Sequence, residues 1–342
     1  MLDELLERAR GLNRERRYPD LVALLESRPR EDLFDEPELG LLYADVLRRV
    51  GRSVDTVVVC AELMPFSRRR GNDRLSRGRL NILGMAQFDQ GQVNEAESTW
   101  QELYHDARGA SDEEFSAKAI HNIGVVLTLT DRMEEALSAY SRALAAYQRL
   151  GHRRGLAQTH HNLGISYREL GFLPESDDNF RRALDFARAD ESEDEIARIE
   201  QERALTYLLA GDAKMARHSA DSALASYVRL EDPAGQGESW RTVGLIDLAL
   251  GNLGESLRSM ELALDLARSS RAALLEAEIH VALSCLHLAR GHDAEADRSS
   301  AEAREGFKSL GAEAWGAKSF RLVERLRSMH DDPADHETKK EK

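Results

Sequence analysis

Cysteine is almost missing from this chain: only Cys60 and Cys285 occur in 342 residues. So few thiols exclude a disulfide framework and fit a reducing compartment. Proline is scarce too, with seven residues, so long helices can run without interruption. No apolar run approaches the ~18 residues a membrane-spanning helix needs, so membrane insertion is not expected. Met1 to Glu7 is acidic and amphipathic, unlike a secretion signal, and the expected location is cytoplasmic. A basic excess is also lacking: 47 Lys and Arg face 61 Asp and Glu, for a net charge of −14. Nucleic acid is thereby disfavoured as a partner, because phosphates require a cationic face. Residues 1–80 hold 16 Arg against 15 acidic residues, so the acid excess lies in the remainder of the chain.

What the chain does have is a strict period. Ala44, Gly84, Gly124, Gly164, Ala204, Gly244 and Ser284 stand 40 residues apart. Seven positions after each comes a turn residue: Gly51, Gly91, Asp131, Gly171, Gly211, Gly251 and Gly291. An unbroken register of this size indicates stacked structural repeats, each packed on its neighbours. Within the fourth repeat, Leu156, His160, Leu163, Tyr167 and Leu170 recur at alternating steps of four and three, one face of an α-helix. Gly171 closes that helix, and Pro174 suits the first turn of a second. The second helix directs Phe180, Ala183, Leu184 and Ala187 inward.

Further columns keep the same register. Thr56, Ala96, Ala136, Ser176, Ala216, Ser256 and Ala296 are small, so the two helices of each pair can approach closely. Trp100, Tyr140, Phe180 and Met260 are bulky and read as core. In repeat five, Glu200 and Arg203 stand where apolar residues are usual, which predicts looser packing or a bend there.

These residues resemble the tetratricopeptide repeat. Gly164, Tyr167, Gly171, Ser176 and Phe180 occupy, in order, that family's small, aromatic, turn, small and aromatic positions, and Gly124, Leu127, Asp131, Ala136 and Tyr140 follow the same order. The run Leu150 to Gly155 entering His161-Asn162-Leu163-Gly164 looks like the 40-residue variant found in polarity adaptors, kinesin light chains and bacterial regulators. The resemblance implies an all-α fold: a right-handed α-solenoid of about seven helix pairs. The expected division is an N-terminal capping pair over 1–35, seven repeats over 36–310, a capping helix over 311–329 and an unstructured tail over 330–342. The final helix would bury Trp315, Phe320, Val323 and Leu326, and turn Lys318, Arg321, Glu324 and Arg325 to solvent.

In solenoids of this kind the first helices line a concave groove, and the resemblance extends that expectation here. Its apolar midline would be Met85, Val125, Ile165, Leu205, Leu245 and Cys285. Polar flanks would bind a peptide through Lys118, His121, Asn122, Gln158, His161, Asn162, Ile165, Arg168, Arg198, Gln201 and Arg241. Side-chain amides offer both donor and acceptor to a peptide backbone, and the cations could receive carboxylates. The alternative for the asparagines is bonding to neighbouring helices, and for the cations pairing with Glu169, Glu202 and Glu238. His160 and His161 diverge around their helix, so no metal site is expected, and no cofactor. Arg68, Arg69, Arg70, Arg74, Arg77 and Arg79 cluster; a solvated helix end explains them better than an anion site. No nucleophile-bearing strand–turn–helix segment is present.

The reading that results is a non-enzymatic scaffold holding a peptide segment of a partner protein. Its rival is a ligand-responsive sensor whose superhelical pitch changes on binding. A third reading is a homodimer formed through the last helix.

Overall fold

The 40-residue columns become antiparallel helix pairs. In the computed structural model, which describes residues 2–70 and 73–331, the described residues form helices and no strand. Three short helices open the chain: α1 (Leu2–Arg14), α2 (Tyr18–Glu26) and α3 (Arg30–Asp35). Pairs follow: α4 (Pro37–Arg49) with α5 (Ser53–Arg70), α6 (Asp73–Asp89) with α7 (Val93–Gly109), and α8 (Glu113–Leu129) with α9 (Met133–Leu150). Next come α10 (Arg153–Glu169) with α11 (Leu173–Ala189), and α12 (Glu193–Leu209) with α13 (Ala213–Arg229). The last are α14 (Pro233–Ala249) with α15 (Leu253–Ser270), α16 (Ala273–Ala289) with α17 (Asp293–Ser309), and the unpaired α18 (Glu313–Asp331). Most of the expected tail lies outside the described residues.

Two compact units result. One comprises Met1–Thr128 and Glu134–Leu150; the other comprises Leu129–Met133 and the chain from Gly151 onward. The core of the first is built from Leu21, Leu25, Leu33, Leu39, Leu47 and Leu63, all fully buried. That of the second centres on Leu245, Met260, Ala263, Ile279 and Leu286.

Each pair closes through its small columns. Ser176 donates its hydroxyl to the Gly164 carbonyl at 2.8 Å, and Ser256 donates to that of Gly244 at 2.8 Å. Thr56 does the same to Ala44 at 3.1 Å, while in the last pair Ser284 donates in reverse to the Ala296 carbonyl at 3.0 Å. The bulky column then fills the space over the glycines. A Cβ on Gly164 would lie 2.7 Å from the Phe180 ring, and one on Gly244 would lie 2.8 Å from the end of Met260.

The turn column adopts positive φ throughout, from Gly171 at 83° to Asp131 at 59°. A second left-handed column joins one pair to the next: Ser111, Gly151, Glu191, Glu231, Arg271 and Gly311. Only two of these are glycine, so composition gives no sign of the column.

Repeat five does not loosen. Glu200 is buried between Arg188 at 3.7 Å and Arg203 at 3.8 Å, and Arg203 reaches Asp177 at 2.7 Å. The charges replace apolar contact with a local ionic cluster.

The last helix differs from a simple solvating cap. Val323 and Leu326 are buried, and Trp315 and Phe320 pack on the same core. Lys318, however, is largely covered and lies 3.7 Å from Asp131, with Arg321 at 3.0 Å from the same carboxylate.

Candidate functional site

Within each unit the register brings position i of one leading helix near i+37 or i+41 of the next. In the first unit α8 carries Lys118, His121 and Asn122. Lys118 pairs with Glu114 at 2.6 Å and sits over the Phe115 ring. Asn122 donates to Asn81 Oδ1 at 3.1 Å. His121 is buried, edge-on to Tyr140 and Tyr147; desolvation lowers its pKa to about 4. The ring is a packed, neutral core element.

In the second unit the face is held by a chain of ionic and amide contacts. Gln158 donates to Glu195 at 3.3 Å, and Arg154 reaches the same oxygen at 3.1 Å. Arg168, only 6% exposed, donates to the Glu202 carboxylate at 2.6 Å and to the Glu202 carbonyl at 3.0 Å. Gln201 is buried, donates to the Glu238 carbonyl at 3.3 Å and to Thr242, and accepts from Ser239 at 3.1 Å. Arg241, also buried, lies 3.6 Å from Glu278. His161 stands edge-on to Phe180 at 5.7 Å. Asn162 and Ile165 are half-buried, and Arg198 is exposed with only a 3.9 Å approach to Glu195.

The expected site residues therefore fall into two sets. His121, Arg168, Gln201 and Arg241 are engaged inside the chain, while Lys118, Asn122, Gln158, His161, Asn162, Ile165 and Arg198 retain accessible surface. The apolar midline needs correction. Leu205, Leu245 and Cys285 are buried, so in the second unit Ile165 alone of that row stays half-open. The leading helices of this region are apolar on two sides because each is packed between its own partner and its neighbours. The arginine cluster resolves likewise: Arg77 is buried against Asp112 at 3.0 Å, and Arg74 pairs with Glu114 at 2.7 Å. The side chains of Arg68, Arg69 and Arg70 lie outside the described residues.

The acids of this face do more than pair with its cations. Burial pushes the Glu238 carboxyl up to about 7, with Glu202 and Glu278 adding to the effect and Arg241 opposing it. Burial would raise Glu202 as well, but Arg168 holds it below the ordinary range. The sign for Glu238 follows from linkage. Its folded-state value exceeds the unfolded one, so the folded protein keeps a proton the unfolded chain has lost, and stability falls as pH rises from about 4.5 to 7. Glu238→Gln should therefore stabilise the protein at pH 8 by roughly 1–3 kcal/mol, with no gain near pH 4. Thermal melts of both proteins at the two pH values check this.

Among the described residues, no group of three His, Cys, Asp or Glu side chains is placed to hold a metal ion, and both cysteines are free thiols. None of the described helices is long and apolar enough to cross a membrane.

Residues 115–189 match the tetratricopeptide repeat family model. A search of curated proteins finds no match. Solved structures do resemble the chain. A Rap protein complexed with competence and sporulation factor is 14% identical over 96% of this chain and 98% of its own, with a TM-score of 0.63. The Rap conjugation gene regulator of plasmid pLS20, in complex with the Phr* peptide, is 15% identical over 88% and 95%, with a TM-score of 0.60. The APC/C hetero-tetramer Cut9-Hcn1 is 15% identical over 93% of this chain and 55% of its own, with a TM-score of 0.62. At these identities the likeness is one of fold.

Proposed function

We propose that this chain, which carries tetratricopeptide repeats, is a non-enzymatic cytoplasmic scaffold. Its second unit holds a peptide segment of a partner protein against the leading-helix face. The observation that carries this is the division of labour along α10 and α12. Arg168 and Gln201 are locked by their own chain, so the backbone beneath the face is fixed. Gln158, Asn162, Ile165 and Arg198 present amide, apolar and cationic groups upon it. A surface fixed before binding loses little entropy when it is occupied. Asn162 suits a peptide backbone, and Arg198 suits a carboxylate. On the first unit, Lys118 and Asn122 are half-buried and keep accessible surface.

The fold neighbours support the reading, since two are described with a peptide or factor bound and one as an assembly of proteins. The second reading is a sensor that changes shape on binding a peptide; the similarity to a gene regulator in complex with a peptide favours it. Affinity capture with the triple variant Gln158→Ala, Asn162→Ala, Arg198→Ala tests the scaffold reading. Recovery of partner should fall roughly tenfold, about 1.4 kcal/mol. Undiminished recovery removes this face as the site.

A further inference from the structure

One helix already lies against part of this face. α18 starts in register with the other leading helices: Gly316 abuts Phe307, and Ser319 donates to Glu278 at 3.2 Å. Its second half continues across the ends of earlier helices. Leu326 lines a cleft with Leu248 near the end of α14, Leu253 at the start of α15, and Cys285 and Leu288 of α16. Arg325 Nη2 comes within 3.7 Å of where a Cβ on Gly171 would stand. Lys318 and Arg321 face Asp131 of the Leu129–Met133 turn, which belongs to the second unit, and Glu169 acts on the Lys318 charge. A basic, apolar helix thus meets an acidic border.

The fastening is uneven. Val323 and Leu326 are each 4% exposed, whereas the Arg321–Asp131 pair is 53% and 55% exposed. An ion pair that open to water holds weakly and is screened by salt. The acids farther along the leading helices do not extend this border: Glu202 is paired with Arg168 at 2.6 Å, and burial pushes Glu238 toward its neutral form.

We propose that the leading-helix face of the second unit takes a basic amphipathic helix from its partner, and that α18 is a built-in occupant of one end of that site. This rests on the scaffold reading and names its partner class: an amphipathic helix with cations spaced like Lys318, Arg321 and Arg325 for the end at Asp131 and Glu169, apolar residues like Val323 and Leu326, and a carboxylate left for Arg198. An incoming helix competes with α18 for the same acids.

The test uses the full chain and a fluorescent peptide of residues 313–331. Anisotropy titrations compare wild type with Lys318→Glu/Arg321→Glu, at low and high salt. The variant should bind the peptide roughly tenfold more tightly, lose that gain at high salt, and lose it again when Glu169→Lys is added. Hydrogen exchange of residues 318–327 should quicken in the variant. Unchanged exchange, or affinities equal within about twofold, overturns the proposal. A variant that forms dimers without taking up peptide assigns the face to a second copy of the chain and also overturns it. Faster exchange without peptide uptake rejects the partner class while leaving the capture result, and the scaffold reading, intact.

Discussion

Gly164→Leu should cost more than about 3 kcal/mol, or prevent folding outright. The reason is local and geometric. The Cβ alone would stand 2.7–2.8 Å from three atoms of the Phe180 ring, closer than real contacts allow. Phe180 is fully buried between α10 and α12, with Ala183, Leu184 and Ile199 around it, so the ring has nowhere to retreat. Even Gly164→Ala should destabilise, and trimming Phe180→Leu in that background should recover part of the loss. Gly254 gives the contrast within the same unit. It is exposed in α15 with nothing within 4 Å of a Cβ. Gly254→Ala should stabilise by about 0.5–1 kcal/mol, because alanine loses less backbone entropy in a helix. Denaturant melts of these variants check the register: a Gly164→Leu protein that melts like wild type contradicts the pairing of the columns.

Arg168→Ala should cost about 3 kcal/mol at neutral pH. Arg168 ties α10 to α12 through both the carboxylate and the carbonyl of Glu202. Removing it leaves a half-buried carboxylate with only His161 and Arg241 nearby to offset it. Arg168→Met with Glu202→Met should cost less than Arg168→Ala alone, since no charge is then stranded. The pH dependence has a definite sign. Glu202 has a depressed folded-state value, so the stability the pair supplies is present above the unfolded carboxyl value and lost as pH falls through the folded one. The penalty for Arg168→Ala should accordingly shrink in acid. A constant penalty from pH 7 to pH 3 would mean the arginine acts by packing alone.

The repeat was legible because its determinants are local and recur. Gly164, Gly171, Ser176 and Phe180 sit within 17 residues of one another, and sequence spacing alone places them on two facing helices. The second turn column was not legible, since Glu191, Glu231 and Arg271 take positive φ under the force of packing rather than by their own preference. The candidate site was legible by position more than by role. Arg168 and Gln201 fall on the expected face, yet their burial follows from stacking on the next pair, as the Arg168–Glu202 and Gln201–Thr242 contacts show. Such contacts depend on the rotation between repeats, which a single repeat does not encode. The reach of α18 to Asp131 spans 190 residues in sequence, and composition alone makes Lys318 and Arg321 look like ordinary solvated charges.

The most direct test of the leading-helix face is a side-by-side capture from one lysate. Wild type is compared with the Gln158, Asn162 and Arg198 alanine variant, and with Glu255→Ala/Arg258→Ala, an exposed ion pair on α15. Matching melts for all three would establish that each is folded. The prediction is partner recovered by wild type and by the α15 variant, and lost from the α10–α12 variant. Recovery that survives the α10–α12 changes, or disappears with the α15 changes, contradicts it.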